Sequence, residues 1–159
     1  TTIRFIEYDS KGRSQGPKYF TFSDNLIQFM SLVIRFDNSY VKKGDFLRGR
    51  SVYLFMKAFC LDENKVESYT ITPINEVPGG YKTGFGLGLF EKRIWKQFWR
   101  YALSPEEAKK EGIKVAQIEA PGTRFIPGIM YTLKIEHAGG IKIETKRIPE
   151  ILKRYNNHE

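Results

Sequence analysis

Short runs of β-branched and aromatic residues, several of them alternating with polar residues, dominate the first half of the chain and are typical of β-strands. They are IRFIEY at 3–8, YFTF at 19–22, LIQFMSLVIRFD at 26–37 and ESYTITP at 67–73, with turn-rich segments between them. Because ESYTITP stops at a proline, it suits an edge strand. The run SVYLFMKAFCLD at 51–62 is almost wholly apolar, which fits a central strand or a short buried helix, and we favour the strand.

A β-hairpin is predicted in MYTLKIEHAGGIKIETKRI, where two alternating runs flank a pair of glycines. A three-residue loop at 138–140 sets Ile135 opposite Ile143 on one face, and Gly140 can supply the left-handed conformation that such loops need. On the other face the same register pairs opposite charges, Glu136 with Lys142 and Lys134 with Glu144. The pattern thus separates the hairpin into an aliphatic and a charged face.

After residue 89 the spacing of apolar residues changes to that of a helix. At about 100° per residue, one side of FEKRIWKQFWRYA collects the apolar positions Phe90, Ile94, Trp95, Phe98, Trp99 and Tyr101. The basic residues Lys92, Arg93, Lys96 and Arg100 lie opposite them. This predicts an amphipathic helix at about 89–102, whose aromatic side either packs on a sheet or contacts a membrane or partner. Trp99 lies at the far edge of the stripe, so we expect it to be the more exposed tryptophan.

Two further short helices are predicted. In SPEE, Ser104 can cap a helix at 105–111, with Pro105 at its first position and Glu107 completing a capping box. The segment PEILKRYNN, beginning at Pro149, predicts a short C-terminal helix with an acidic residue in its first turn.

The order of these elements predicts an α+β fold in which β-structure dominates. We expect an antiparallel β-sandwich or a partly open barrel, with the amphipathic helix covering one face or end. Turns at Pro121-Gly122 and Pro127-Gly128 support this fold, because they separate short strands. No internal repeat or long linker divides the 159 residues, so we expect one globular domain spanning 1–159.

The stretch GFGLGLF, just before the amphipathic helix, shares only its glycine content with phosphate-binding loops. Gly84, Gly86 and Gly88 are spaced G-x-G-x-G, with Leu89 where the dinucleotide fingerprint needs its third small residue, and no P-loop lysine follows. In a strand, these glycines would leave one face bare for a closely packed backbone or aromatic ring. We therefore predict a structural stretch and no nucleotide cofactor.

Residues suited to catalysis or metal binding are few. Neither His137 nor His158 has a further ligand residue at metal-binding spacing, and Cys60 lies in an apolar run where it fits a small buried hydrophobe. A single cysteine also excludes an internal disulfide framework. No nucleophile-elbow motif is present. We therefore predict no metal, no cofactor and no identifiable catalytic residue, although an enzyme with carboxylate-based chemistry stays an alternative among the 18 acidic residues.

The formal net charge of +8 favours an anionic partner, which could be a protein, a nucleic acid or a lipid headgroup. The candidate partner surface combines the loop VKKGDFLRGR with the basic side of the amphipathic helix: Lys42, Lys43, Phe46, Arg48, Arg50, Lys92, Lys96, Trp99 and Arg100. Basic residues interleaved with aromatic ones can hold phosphates and stack bases, so a nucleic-acid-binding domain is one alternative. The remaining alternative is a basic surface that has no specific partner and only keeps the protein in solution.

The leading interpretation is a non-catalytic binding or interaction domain with an unidentified ligand. The longest apolar run, at 26–36, is interrupted by Gln28, Ser31 and Arg35 and is much shorter than the roughly 20 residues that span a bilayer. The chain opens TTIRFIEY without an initiator methionine, so we expect an excised piece of a longer or membrane-anchored protein. An upstream signal or anchor would place this domain outside the cytoplasm.

Overall fold

The computed structural model describes residues 1–9, 12–36, 51–61, 65–81, 89–110, 113–135 and 140–150. In these ranges the strands are β1 (Thr2–Tyr8), β2 (Ser14–Thr21), β3 (Leu26–Phe36), β4 (Ser51–Leu61), β5 (Val66–Thr70), β6 (Ile113–Glu119), β7 (Gly122–Arg124), β8 (Ile129–Ile135) and β9 (Ile141–Arg147). Between β5 and β6 lie a short 3-10 helix (Gly79–Tyr81) and two α-helices, α1 (Leu89–Leu103) and α2 (Pro105–Lys110). The fold is α+β with β-structure dominant, as predicted, and over the described ranges its sheets do not close into a barrel.

Strand β3 lies at the centre of the main antiparallel sheet, which is ordered β5, β4, β3, β6, with β7 also paired to β3. Its residues Ile27, Leu32, Val33 and Ile34 are all fully buried. Because both faces of β3 are covered, its sequence is nearly continuously apolar instead of alternating. Strand β4 confirms that 51–62 forms a central strand, and β5 confirms the predicted edge strand.

Helix α1 covers one face of this sheet and confirms the amphipathic helix predicted at about 89–102. Its tryptophans Trp95 and Trp99 pack with Leu54 and with other apolar residues of the central strands. The aromatic side of the helix is therefore core, which is what a sheet-packed helix requires.

The prediction that Trp99 is the more exposed tryptophan was wrong. Trp99 is 0% exposed, whereas Trp95 is 6% exposed. The Trp99 indole Nε1–H donates a hydrogen bond of 2.7 Å to the carbonyl oxygen of Glu76, and the neighbouring Val77 belongs to the same core. The segment after β5 thus covers the edge of the aromatic stripe that the sequence pattern left open.

The opposite face of the sheet is covered in part by the hairpin of β1 and β2. Ile3, Phe20 and Phe22 pack against Phe29, Cys60 and other residues of the central strands. Cys60 is fully buried, as predicted for a small hydrophobe. Strand β2 begins at Ser14, so it extends well upstream of the predicted YFTF segment into sequence that reads as turn.

The C-terminal hairpin forms from β8 and β9, as predicted, but its register differs by two residues. Ile135 lies opposite Ile141 instead of Ile143. A shift of two keeps every side chain on its predicted face. It places Lys134 opposite Lys142, and the Glu144 carboxylate offsets this repulsion by reaching both ammonium groups, at 2.5 and 3.4 Å.

The turn at Pro127-Gly128 and the start of helix α2 follow the sequence prediction. The Ile129 amide donates to the Ile126 carbonyl across Pro127-Gly128, where Gly128 takes the positive φ of 78° that a type II turn needs at its third residue. Helix α2 begins after Ser104, whose carbonyl accepts the Ala108 amide at 3.0 Å. The predicted glycine stretch at 84–88, the hairpin loop at 136–139 and the C-terminal helix beyond residue 150 lie outside the described residues.

Candidate ligand-binding cavity

A concave cavity of about 470 Å³ opens beside the face of the central sheet that α1 does not cover. Its walls come from β1, from the central strands β3 and β4, from the 3-10 helix segment and from β8. Aromatic side chains dominate the lining: Phe5, Tyr8, Phe29, Tyr53, Phe55, Tyr81, Phe125 and Tyr131. Alternation places Tyr53 and Phe55 on the same side of β4, and the topology brings these rings beside those of the other elements.

The aromatic rings form a connected series along the cavity wall. Phe5 stacks on Phe29 with ring centroids 5.8 Å apart, and Phe29 is 6.1 Å from Phe125. Phe125 in turn lies 4.2 Å from Tyr131. Each ring packs on its neighbour, so the contacts form one continuous aromatic stretch of the wall.

The Tyr131 hydroxyl has both of its hydrogen-bonding roles filled. It donates to the Arg124 carbonyl at 3.0 Å and accepts the Ile126 amide at 2.9 Å. This bracing fixes the segment before β8 against the strand itself. The ring of Tyr131 therefore lines the cavity, while its hydroxyl is hydrogen-bonded to the backbone.

The cavity rim carries acidic side chains that are already engaged in ion pairs. Glu7 lies 3.5 Å from the Lys18 ammonium, and Asp9 pairs with Arg13 at 2.7 Å and also accepts the Arg13 amide. Arg4 also lines the cavity. The two carboxylates thus converge on a concave site, as the carboxylate-enzyme alternative requires, but each has a cation as its partner.

Tyr53 is the most unusual polar group in the lining. The residue is 2% exposed, and over the described part of the chain no hydrogen bond of suitable geometry reaches its hydroxyl. Burial raises the pKa of Tyr53, and the Glu119 carboxylate adds to this. The Arg35 guanidinium offsets part of the rise through its charge and by pointing a donor toward the hydroxyl oxygen, which still leaves the hydroxyl hydrogen without an acceptor. Arg35 and Glu119 pair with each other at 3.5 Å. The phenol is therefore a neutral donor at physiological pH.

Tyr81 connects the cavity to the helix-covered core. Its ring lies 4.7 Å from that of Trp95, centroid to centroid. This ring pair therefore joins the cavity lining, which contains Tyr81, to the helix-covered core, which contains Trp95.

Comparison of the chain with protein-family models, with curated proteins and with solved structures finds no match. The function must therefore be argued from the cavity. Among the described residues, no three histidine, cysteine, aspartate or glutamate side chains gather as ligands for a metal ion. No helix in the described ranges is long and apolar enough to cross a bilayer.

The structure describes only part of the partner surface that the sequence predicted, and it corrects that prediction at Trp99. Lys42, Lys43, Phe46, Arg48 and Arg50 lie outside the described residues, and so does the side chain of Lys92. Lys96 and Arg100 are exposed on α1, and Arg100 pairs with Glu107 of α2 at 2.9 Å. Trp99 is buried and cannot contribute to a surface.

Sequence reasoning missed the cavity because its residues resemble ordinary core residues. Phe5, Phe29 and Phe55 occupy inward strand positions, and nothing in the local pattern distinguishes a filled core from an open one. The signal that could have pointed to it is the excess of tyrosine, since a buried tyrosine usually needs a hydrogen-bond partner.

Proposed function

We propose that this chain is a non-catalytic binding domain that holds a small, largely apolar organic ligand in the aromatic cavity. The observation that carries the proposal is the cavity itself, at about 470 Å³ and lined mainly by aromatic rings. Small-molecule sites typically measure about 300 to 1,000 Å³ and combine apolar walls with a few placed polar groups. Both features support a ligand no larger than a typical cofactor.

The state of the rim favours binding over catalysis. A general acid or base must be free to exchange a proton with its substrate. Glu7 and Asp9 are instead held by Lys18 and Arg13. We therefore assign these carboxylates to the architecture of the rim.

A cavity-filling variant tests the proposal. Leu133 lines the cavity on β8, on the same face of the strand as Tyr131, whereas Thr145 lies on the neighbouring strand β9 outside the lining and is exposed. Leu133→Trp should fill part of the cavity, and Thr145→Trp is the matched control on the same hairpin. The probe is Prodan, a propionyl-dimethylaminonaphthalene dye whose emission shifts to the blue in apolar surroundings.

We expect wild type and Thr145→Trp to bind one Prodan molecule per chain, followed by titration of dye emission and by amide shifts in NMR spectra. The Leu133→Trp variant should bind at least about tenfold more weakly, which corresponds to about 1.4 kcal/mol. Equal affinity of all three proteins would overturn the proposal, and so would the absence of dye binding to the folded wild type.

The charge of +8 supports nucleic-acid binding as a second candidate function. Its predicted loop at 42–50 lies outside the described residues, so the test must be made in solution. Anisotropy of a labelled single-stranded oligonucleotide should show affinity that falls steeply with salt, and Arg48→Gln with Arg50→Gln should flatten that slope. Absence of binding at low salt would reject this candidate.

A further inference from the structure

Resting on the proposed function, we infer that the ligand carries a neutral hydrogen-bond acceptor, a carbonyl oxygen, that pairs with the hydroxyl of Tyr53. This narrows the ligand to a ring-bearing ketone, ester or amide. The remaining surface of such a molecule would lie against the aromatic rings of the cavity.

The need for an acceptor follows from the inventory of groups around Tyr53. A phenol has one hydrogen to donate, and a guanidinium can only donate, so Arg35 cannot receive it. The Tyr53 hydroxyl is buried without a hydrogen bond of suitable geometry in the described ranges. Buried donors are almost always paired in folded proteins, so a group without an acceptor marks a place where one is to be supplied.

Other tyrosines of the fold show the usual arrangement. The Tyr69 hydroxyl donates to the Thr21 carbonyl at 2.7 Å, and the Tyr131 hydroxyl donates to the Arg124 carbonyl at 3.0 Å. Both have backbone acceptors, whereas no acceptor of suitable geometry takes the hydroxyl hydrogen of Tyr53 in the described ranges. This missing acceptor separates Tyr53 from Tyr69 and Tyr131.

The charges beside Tyr53 select a neutral acceptor over an anionic one. Glu119 acts on Tyr53 with its negative charge, and the positive charge of Arg35 is paired with that same carboxylate. A carboxylate or phosphate placed at the Tyr53 hydroxyl would meet Glu119 beside a guanidinium that is already paired with it, which is unfavourable where water is excluded. A carbonyl oxygen meets no such repulsion.

Binding requires a small adjustment of the cavity wall. The hydroxyl oxygen of Tyr53 is closed off from solvent in the unliganded protein, although the residue lines the cavity. Side-chain rotations of this size are common when proteins bind ligands.

The test compares two probes on three proteins. Prodan supplies a ketone, and its analogue with a propyl group in place of the propionyl group has the same ring system without the carbonyl. The proteins are wild type, Tyr53→Phe and the control Tyr69→Phe, which removes a hydroxyl outside the cavity. Thermal melts establish that each variant is folded.

The informative quantity is the ratio of the two dissociation constants, because it cancels the difference in hydrophobicity between the probes. We expect Tyr53→Phe to reduce the preference for the ketone by about threefold to tenfold, the worth of one hydrogen bond. Tyr69→Phe should leave the preference unchanged. Prodan emission should also shift to the blue in Tyr53→Phe, because hydrogen bonding to its carbonyl shifts emission to the red.

The outcomes separate the two proposals. If both probes bind and Tyr53→Phe leaves their ratio unchanged, the inference about the carbonyl is overturned while the cavity proposal stands. If neither probe binds to the folded wild type, the cavity proposal fails and this inference fails with it.

Discussion

Replacing Trp99 by Phe should destabilise the protein more than the same change at Trp95. Both tryptophans lie in the same helix and the same core, and they differ in that the Trp99 indole donates to the Glu76 carbonyl at 2.7 Å. Trp95 packs with 6% of its surface exposed and makes no comparable side-chain hydrogen bond within the described residues. The pair therefore isolates the contribution of one hydrogen bond.

The expected magnitudes follow from these contacts. The smaller ring leaves a void at either position, which costs about 1 kcal/mol. At Trp99 the Glu76 carbonyl also loses its donor, which adds about 1 to 2 kcal/mol. We expect a loss of about 2 to 3 kcal/mol for Trp99→Phe and about 1 kcal/mol for Trp95→Phe.

Urea unfolding, followed by far-UV circular dichroism, measures both losses without depending on tryptophan emission. The slope of the unfolding free energy against urea should be the same in all three proteins, since the surface exposed on unfolding hardly changes. Equal losses for the two variants would refute the reasoning. A larger loss at Trp95 would show that the Glu76 contact contributes nothing and that packing alone sets the difference.

Three further predictions concern single side chains. Tyr53→Phe should leave the free energy of unfolding unchanged or raise it by up to about 1 kcal/mol, because the variant removes a buried hydroxyl whose hydrogen has no acceptor. Tyr69→Phe should lower it by about 1 kcal/mol. Urea titration compares the two variants, and a clear loss of stability in Tyr53→Phe would contradict this expectation. The hydrogen bond from the Lys134 ammonium lowers the pKa of Glu144 in the folded hairpin. The ionised Glu144 carboxylate therefore stabilises the folded protein fully above the pKa that it has in the unfolded chain, and this stabilisation is lost as pH falls through its lower pKa in the folded state. The melting temperatures of wild type and Glu144→Gln should therefore differ near neutral pH and converge in acid. A side-chain carbon at Gly122 would lie 2.5 Å from the Gln28 Cγ and 3.1 Å from the Ile27 carbonyl oxygen; Gly122→Ala should cost about 1 to 3 kcal/mol in urea unfolding, and an unchanged midpoint would show that β7 can move aside.

Much of the fold is readable from the sequence because local chemistry and tertiary contacts agree there. The period of the apolar residues located α1, and the proline and glycine at 127–128 located a turn that forms as expected. The hairpin register was missed by two residues because a shift of two preserves both faces, so the apolar pattern cannot distinguish the alternatives.

The candidate site was much harder to predict. The burial of Trp99 depends on Glu76 and Val77, which are distant from the helix along the chain. The cavity depends on strands β1 and β8, from opposite ends of the sequence, lying along one sheet without filling the space between them. Local periodicity carries no information about such gaps, because an inward side chain has the same pattern whether or not another residue meets it.

Strand β3 contributes to both apolar cores, with Leu32 and Ile34 on the helix side and Ile27 and Phe29 on the hairpin side. Neither core can therefore lose this strand without exposing part of the other. The two halves should lose structure in one cooperative transition, with no populated state in which only one is folded. In native-state hydrogen exchange, the amides of β3 should open only with global unfolding, whereas those of the edge strand β5 should also exchange through local fraying.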